Sequence, residues 1–244
     1  YGSFQDNHRF KNGPISYLRK WIFSKPDKFI TISKASSSSL IKMGVPENRI
    51  YTLFNPVDVN WFHTFAQNHR VPQTPGHKFL YVGQLIDRKN IAVIILAFAA
   101  IRTDFDTLTI IGDGPLDQDL RDLTESLGII DSIIFTGQQD KKELARHYAF
   151  SNTLILVSTN EVWGLVVNEA LASGLHAVVS NKCGVTEILK NMTGTYICST
   201  DQNSVQVAMQ ASSREWKGYI QKPEILQFTP ERFADVVIEI IEST

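Results

Sequence analysis

The chain has 244 residues, with 24 basic and 25 acidic side chains, a formal net charge of −1, 43% hydrophobic and 20% charged residues. That length suits one large domain, or one domain with part of another. The near-neutral charge excludes recognition of nucleic acid by bulk electrostatics, and two cysteines are too few for a disulfide framework or a zinc site.

The first 55 residues read as a helix over 15–23, a strand over 29–33 (FITIS), a helix over 34–43 and a strand over 50–54 (IYTLF). Two strands make no stable sheet alone in water. They are therefore expected to belong to a sheet whose other strands lie outside this chain. From residue 56 the pattern becomes a regular alternation. Strands are expected over 78–85, 107–112, 132–137, 153–158 and 176–180, and helices over 91–101, 116–127, 141–150 and 164–173. The strands are nearly continuous apolar runs, as a parallel sheet covered by helices on both faces requires. The fold class is thus α/β, a Rossmann-like parallel sheet built from right-handed βαβ units. A last helix over 230–241 starts with Thr229 as cap, Pro230 in the first turn and Glu231 beside it. Cys183 and Cys198 are expected as small buried hydrophobes. No apolar run approaches the roughly 20 residues needed to cross a bilayer. The chain begins at Tyr1 and not Met, so the lack of a signal peptide carries no meaning.

Four segments follow strands and carry chemistry. The most informative is EVWGLVVNEALASG, residues 161–174. Its helix starts near Gly164, where unpaired backbone N–H groups make an anion site and a small residue lets a ligand approach. Glu161 lies just before the helix and Glu169 about one and a half turns inside. Carboxylates at the two ends of such a site can bind sugar hydroxyls with a diphosphate between them. Standing alone, Glu161 would read as a helix cap and Glu169 as a solvated residue. In VGQLIDRKN, residues 82–90, Gly83 permits a tight turn, and Arg88 and Lys89 bring positive charge to a helix start. In IGDGP, residues 111–115, Gly112 and Gly114 suggest close backbone approach, and TGQ ends at Gln138. All four fall on the carboxyl edge of the expected sheet, where ligands of open α/β sheets bind.

This arrangement resembles glycosyltransferase family 4, retaining enzymes of the two-domain GT-B fold. Glu161 and Glu169 match that family's Glu-x7-Glu, with W-G-L and E-A-L-A-S-G around them. V-G-x-L-x-x-x-K, G-D-G-P and F-x-G precede it in the family's order, and ITISKAS, RIYTLFNPVD and Phe62 resemble the domain crossover. The likeness runs from about Trp21 to the end.

The resemblance implies three parts. Residues 1–55 are the remnant of an N-terminal, acceptor-side domain with the crossover, residues 56–228 the nucleotide-sugar-binding domain, and residues 229–244 a helix packing back toward the N-terminal domain. It implies that Glu169 binds the ribose hydroxyls and Glu161 the transferred sugar. Backbone amides around Trp163, Gly164, Leu165 and Val166 meet sugar and diphosphate. Lys89 stabilises charge on the departing diphosphate, and Gln138 lies beside the base. Gly83, Gln84, Arg88, Gly112 and Gly114 complete the expected donor site. Two positions depart from the family: Gln84 stands where Arg is usual, removing a cation unless Arg88 reaches in, and Asn90 stands for a loop glycine, at small cost because Asn tolerates the left-handed region.

No cofactor or metal is expected. Asp104-Phe105-Asp106 precedes a strand at the wrong edge, and Asp117-Gln118-Asp119 lies in a helix, where residues two apart do not share a face. None of the six histidines matches a catalytic position, His147 and His176 included. The resemblance further implies a glycan or lipid-linked acceptor, cell-surface polysaccharide or lipopolysaccharide synthesis, and a cytoplasmic setting in which peripheral association with the membrane stays open. This fragment alone is expected to bind donor but not transfer sugar. The alternatives are a nucleotide-sugar 2-epimerase or a non-catalytic module derived from a transferase. An NAD-binding domain fits less well, since no G-x-G-x-x-G follows the first strand.

Overall fold

The structure, a computed structural model, describes residues 14–72 and 74–243. The chain opens with α1 (Pro14–Phe23), β1 (Phe29–Thr31), α2 (Lys34–Lys42) and β2 (Ile50–Thr52). β1 and β2 pair in parallel and form a sheet of their own. Hydroxyls bind this small unit together. Ser37 Oγ lies 2.6 Å from both Thr31 Oγ1 and Thr52 Oγ1, linking helix to strands.

After α3 (Val59–His69) comes the larger sheet: β3 (Lys78–Val82), β4 (Thr107–Ile111), β5 (Ile133–Gly137), β6 (Thr153–Leu156), β7 (His176–Ser180) and β8 (Thr195–Cys198). Its order is β5-β4-β3-β6-β7-β8, with every pair parallel. The chain steps from β3 outward to β5, then returns to the other side of β3 with β6. Beside the strands run α4 (Ile91–Ile101), α5 (Asp117–Ser126), α6 (Lys141–Phe150), α7 (Leu165–Ala172), the single turn α8 (Thr186–Leu189), α9 (Gln202–Arg214) and α10 (Pro230–Glu242).

Period-two alternation sorts strand residues between two cores. Leu80, Val82, Leu154, Leu156, Ala177 and Val179 join the core under α3, α6 and α7. Phe79, Tyr81, Leu108, Ile110, Ile155 and Val178 join the core under α4, α5 and α9. Both faces are dry, so α4 is apolar almost all round: Ile91, Ile94, Ile95, Ala97 and Phe98 are buried.

The expected α/β class and parallel sheet are those found, with shorter strands. The strand expected over 78–85 ends at Val82, and that expected over 153–158 ends at Leu156. The chain leaves the ladder at each point to form one of the loops singled out above. Four elements were not expected from the sequence: α3, α8, β8 and α9. The signal for α9 is present: Asp201 caps it, and Val205, Ala208, Met209 and Ser212 are its buried face at helical spacing. Gln206 and Gln210 between them, with Ser204, Ser212 and Ser213, dilute the apolar pattern.

The crossover from β2 to α3 is held by aromatic contacts. The Phe54 ring meets Phe228 and Phe233 edge-on at 5.0 and 5.7 Å. The Lys28 ammonium donates to the carbonyl of Ile240 and, at 3.1 Å, to that of Ser243, at the carboxyl end of α10. A cation there complements the helix dipole. Only Ile240 of α10 is buried, while Ile238 and Ile241, with Tyr17, Leu18, Trp21 and Ile22 of α1, are exposed. Among the described residues, no helix is long and apolar enough to cross a membrane.

Phe98 is fully buried, edge-on to Phe79 at 6.0 Å. Phe98→Ala is expected to destabilise the fold by about 3–5 kcal/mol in urea unfolding. Ile134→Ala, on the half-exposed outer strand β5, is expected to cost about 1 kcal/mol or less. Equal losses would contradict the two-core arrangement.

Candidate functional site

The carboxyl ends of the strands carry the loops singled out in the sequence. The loop after β3 interlocks with its neighbours. Gly83 N–H donates to Ile111 O at 3.0 Å, Leu85 N–H to Asp113 O at 2.9 Å, Leu116 N–H to Leu85 O at 3.1 Å and Gly112 N–H to Gly137 O at 3.0 Å. A Cβ on Gly112 would lie 1.8 Å from Gly83 O, and its φ is +139°. The close approach expected at Gly112 and Gly114 is therefore present, but its partner is the adjoining loop and not open space. Tyr81, buried beneath, donates its hydroxyl to Gln84 O at 2.9 Å. Burial, with Glu161 next, raises the Tyr81 phenol well above its usual range, so it stays protonated. The Gln84 side chain itself is exposed, as is Gln138 at the end of β5.

A short 3₁₀ turn over Asp87–Lys89 ends at Asn90, whose φ of 60° and ψ of 35° are left-handed. Asn tolerates this region where most side chains do not, as expected. Its amide nitrogen donates to Thr200 O at 2.8 Å and Val157 O at 3.3 Å. The turn is thus tied to the loop after β6, where Thr159 N–H meets Arg88 O at 2.8 Å.

Across this seam the charged residues converge. Lys89 Nζ donates to Glu161 Oε2. Arg88 Nη1 reaches the same oxygen at 3.3 Å and also Asn160 O at 3.3 Å. Lys89 and Glu161 expose only 12% and 15% of their side chains, whereas Arg88 exposes 46%. Arg88 thus supplies a guanidinium at the carboxylate, while Gln84 supplies none. Glu161 is not the helix cap it would be in isolation. It forms a parallel bridge with Cys183, its N–H donating to Lys182 O at 3.2 Å and its carbonyl accepting from Gly184 N–H at 3.0 Å.

Gly164 occupies the cap position of α7, with φ 105° and ψ 63°. A Cβ there would meet Leu156 Cδ2 at 2.6 Å, so backbone geometry and packing both require glycine. The first bond of the turn runs from Val167 N–H to Gly164 O at 2.9 Å. The N–H groups of Leu165 and Val166 precede it, in the first turn, where a helix has no acceptor of its own to offer. The Trp163 ring is buried, and its indole N–H reaches Asn168 Oδ1 at 3.3 Å. The Asn168 amide in turn donates to Asn55 O at 3.2 Å, joining the loop to the crossover.

Glu169, in α7, accepts from the Tyr148 hydroxyl at 2.8 Å. It is half-buried and not a fully solvated helix residue: burial raises its carboxyl above the usual range, opposed by the Tyr148 hydrogen bond and the Lys141 charge. Lys141 stands 4.2 Å above the Trp61 ring. Tyr148, Lys141 and Asn168 were not singled out in the sequence. Tyr148 was legible only as one more apolar residue of α6, because its polar tip finds its partner across a helix pair.

Other candidates lie apart. Asp106, before β4, accepts from the N–H groups of His77 and Thr103 at 2.6 and 2.8 Å. Asp117 pairs with Arg121 at 2.8 Å on α5. His176 begins β7, at the opposite edge, with Nδ1 3.1 Å from Ser212 O. Burial lowers the His77 imidazole to about 4. Cys183 is buried, Cys198 partly so, and both thiols are free.

The family model described as glycosyl transferases group 1 matches residues 65–212. N-acetyl-alpha-D-glucosaminyl L-malate synthase of Bacillus anthracis is 33% identical over 220 residues, covering 75% of this chain and 57% of the relative. Anabaena HepE in complex with UDP and glucose superposes with a TM-score of 0.77 at 15% identity, covering 94% of this chain and 67% of that one. Sucrose-phosphate synthase of Thermosynechococcus elongatus gives 0.75 at 20% identity, covering 98% and 65%. At such identities these structures are alike in fold, the α/β fold of GT-B glycosyltransferases. The chain spans about half the length of the curated relatives it matches, 51% of one and 57% of another.

Lys89 and Glu161 are expected to be energetically coupled. A double-mutant cycle of Lys89→Met and Glu161→Gln, read by urea unfolding, is expected to give an interaction energy of about 1–3 kcal/mol. Additive losses would mean that the pair contributes nothing to holding the two loops together.

Proposed function

The chain belongs to the glycosyl transferases of group 1, and on that premise we propose that it is the donor-binding half of a retaining, family 4-type glycosyltransferase with the Glu-x7-Glu signature. The reaction passes a sugar from a nucleotide-diphosphate-sugar to a glycan or lipid-linked acceptor. The observation that carries this reading is the meeting of Lys89, Arg88 and Glu161 beside the amino end of α7, at the point where the strand order reverses. Ligands of open α/β sheets bind at such a point.

In this reading the diphosphate leaves as negative charge develops on it. Lys89, Arg88 and the N–H groups of Leu165 and Val166 supply preorganised positive potential there. Diphosphate binding gives the two cations a second partner beside Glu161, freeing the carboxylate to accept from hydroxyls of the sugar. Glu169 takes the ribose hydroxyls, with Gln138 beside the base. Trp163 acts through its backbone, because its ring is in the core. Gly83, Gln84, Gly112 and Gly114 shape the loops that border the diphosphate. The acceptor attacks from the side of the leaving group, retaining configuration. No metal takes part in this scheme. Asp106 and Asp117 are engaged elsewhere, and cationic side chains stand where a metal would neutralise the diphosphate.

The small β1–β2 unit belongs, in the same proposal, to an acceptor-side domain, and α10 returns to it. The Lys28 contacts with α10, and the exposed apolar side chains of α1 and α10, support this. Synthesis of a cell-surface polysaccharide, on the cytoplasmic side of a membrane, is the setting we propose.

Thermal unfolding with UDP, GDP, ADP or NAD, with and without Mg²⁺, tests the donor site. One nucleoside diphosphate at about 100 times its dissociation constant is expected to add roughly 2.7 kcal/mol. The shift is expected to be independent of Mg²⁺ and lost in Glu169→Ala. UDP is the first candidate, since it is bound in HepE. No shift with any nucleotide, for this chain and for the protein at its natural length, would overturn the reading.

A further inference from the structure

We propose that Tyr148 is a positioning residue of the nucleotide site: its buried hydroxyl fixes the Glu169 carboxylate so that its free lone pairs face a ribose diol. The proposal rests on the donor-site reading above and deepens it. Tyr148 has no exposed surface and cannot touch a nucleotide. It lies on α6 with its ring edge-on to Phe62 of α3 at 5.8 Å, wedged between three helices. Its hydroxyl makes one hydrogen bond, to Glu169 Oε2 at 2.8 Å. A buried phenol needs a partner, and a bond to an ionised acceptor is stronger than a neutral one.

The consequence falls on Glu169. An ionised carboxylate only accepts hydrogen bonds, and Tyr148 occupies one side of Oε2. Oε1 has no protein donor among the described residues, which leaves it for ligand hydroxyls. Two neighbouring hydroxyls of a ribose can then donate to Oε1 and to the remaining lone pair of Oε2. Tyr148 also opposes the burial that favours a protonated Glu169. The phenol is itself held well above its usual range, by burial first and the Glu169 charge next, so it remains the donor at working pH. The other charge facing Glu169 is Lys141, also on α6. From α3 come Trp61, Phe62 and the imidazole of His63, whose Nδ1 lies 2.9 Å from Ala172 O one turn beyond Glu169, and the rest of α7 carries no charge.

The sign of the pH effect follows. A diol binds the ionised carboxylate, so affinity falls as pH drops through the Glu169 titration. Removing the Tyr148 hydroxyl moves that titration, and with it the loss of affinity, to higher pH. A role in packing alone would lower stability without moving the profile or the preference for a diol.

The test is calorimetric titration, between about pH 5 and 9, with UDP, GDP and ADP and their 2′,3′-dideoxy counterparts. Wild type, Tyr148→Phe and Glu169→Gln are compared. Tyr148→Phe is expected to weaken the ribonucleotide about tenfold at pH 7, the loss of one charged hydrogen bond's orientation, and to shift the acid limb upward. The dideoxy affinity is expected to change less than twofold. In wild type, the Tyr148 Cζ resonance is expected to follow the Glu169 carboxyl titration with the same midpoint, which needs no variant to fold. Tyr148→Phe with wild-type diol preference and pH profile, or a Tyr148 resonance indifferent to Glu169, overturns the positioning role while the donor site stands. Wild type that binds none of the nucleotides, or Glu169→Gln that keeps the diol preference, overturns the donor reading and the positioning role with it.

Discussion

Strands β3 and β6 pair over two residues only, Phe79 with Thr153 and Leu80 with Leu154, and the chain reverses its travel across the sheet between them. Beyond that short ladder the two chains diverge into loops, each with polar backbone that no strand can satisfy. The loops satisfy one another instead, through Thr159 with Arg88 and Asn90 with Val157. This places Lys89 and Glu161, 72 residues apart in sequence, on one oxygen-to-nitrogen contact. Because both faces of the sheet are filled by apolar side chains, its carboxyl edge is where charge can be gathered without burying it in a core.

The gathered charge is net positive, two cations against one carboxylate. Glu161 meets two cations, Lys89 and Arg88, beside a helix amino end that Gly164 begins in a conformation other residues avoid. Breaking a largely buried pair on one side leaves an uncompensated charge, so each of the two loops holds the other in place. Glu169 is likewise half-buried, with its charge supported by Tyr148 and Lys141, both of α6. Two glutamates eight residues apart therefore differ in environment, one ion-paired and one held by a phenol.

Much of this was legible from residue order. The β-α rhythm, apolar on every strand, identified the sheet, and α4, α6 and β7 run over the residues expected for them. The four loops stood after strands, so a shared edge followed from parallel topology alone. α9 is not legible because Ser204, Gln206, Gln210, Ser212 and Ser213 break up its apolar residues. β8 was not read because its TYIC is too short for a period to show. The role of Gly112 was only half legible: close approach was readable, but the approaching backbone is Gly83's.

By itself, then, the sequence determined the fold class, the edge of the sheet on which the candidate loops stand, and Glu161, Glu169 and Lys89 as candidates there. These depend on local patterns, which residue order records directly. Only the tertiary structure decided that Arg88 stands where Gln84 offers no charge, that the Trp163 ring is core, that Asn168 ties the loop to Asn55, and that Tyr148 holds Glu169. Each of those is a contact between elements far apart in the chain. Its geometry is set by how helices pack on a common sheet, and no local pattern carries that information.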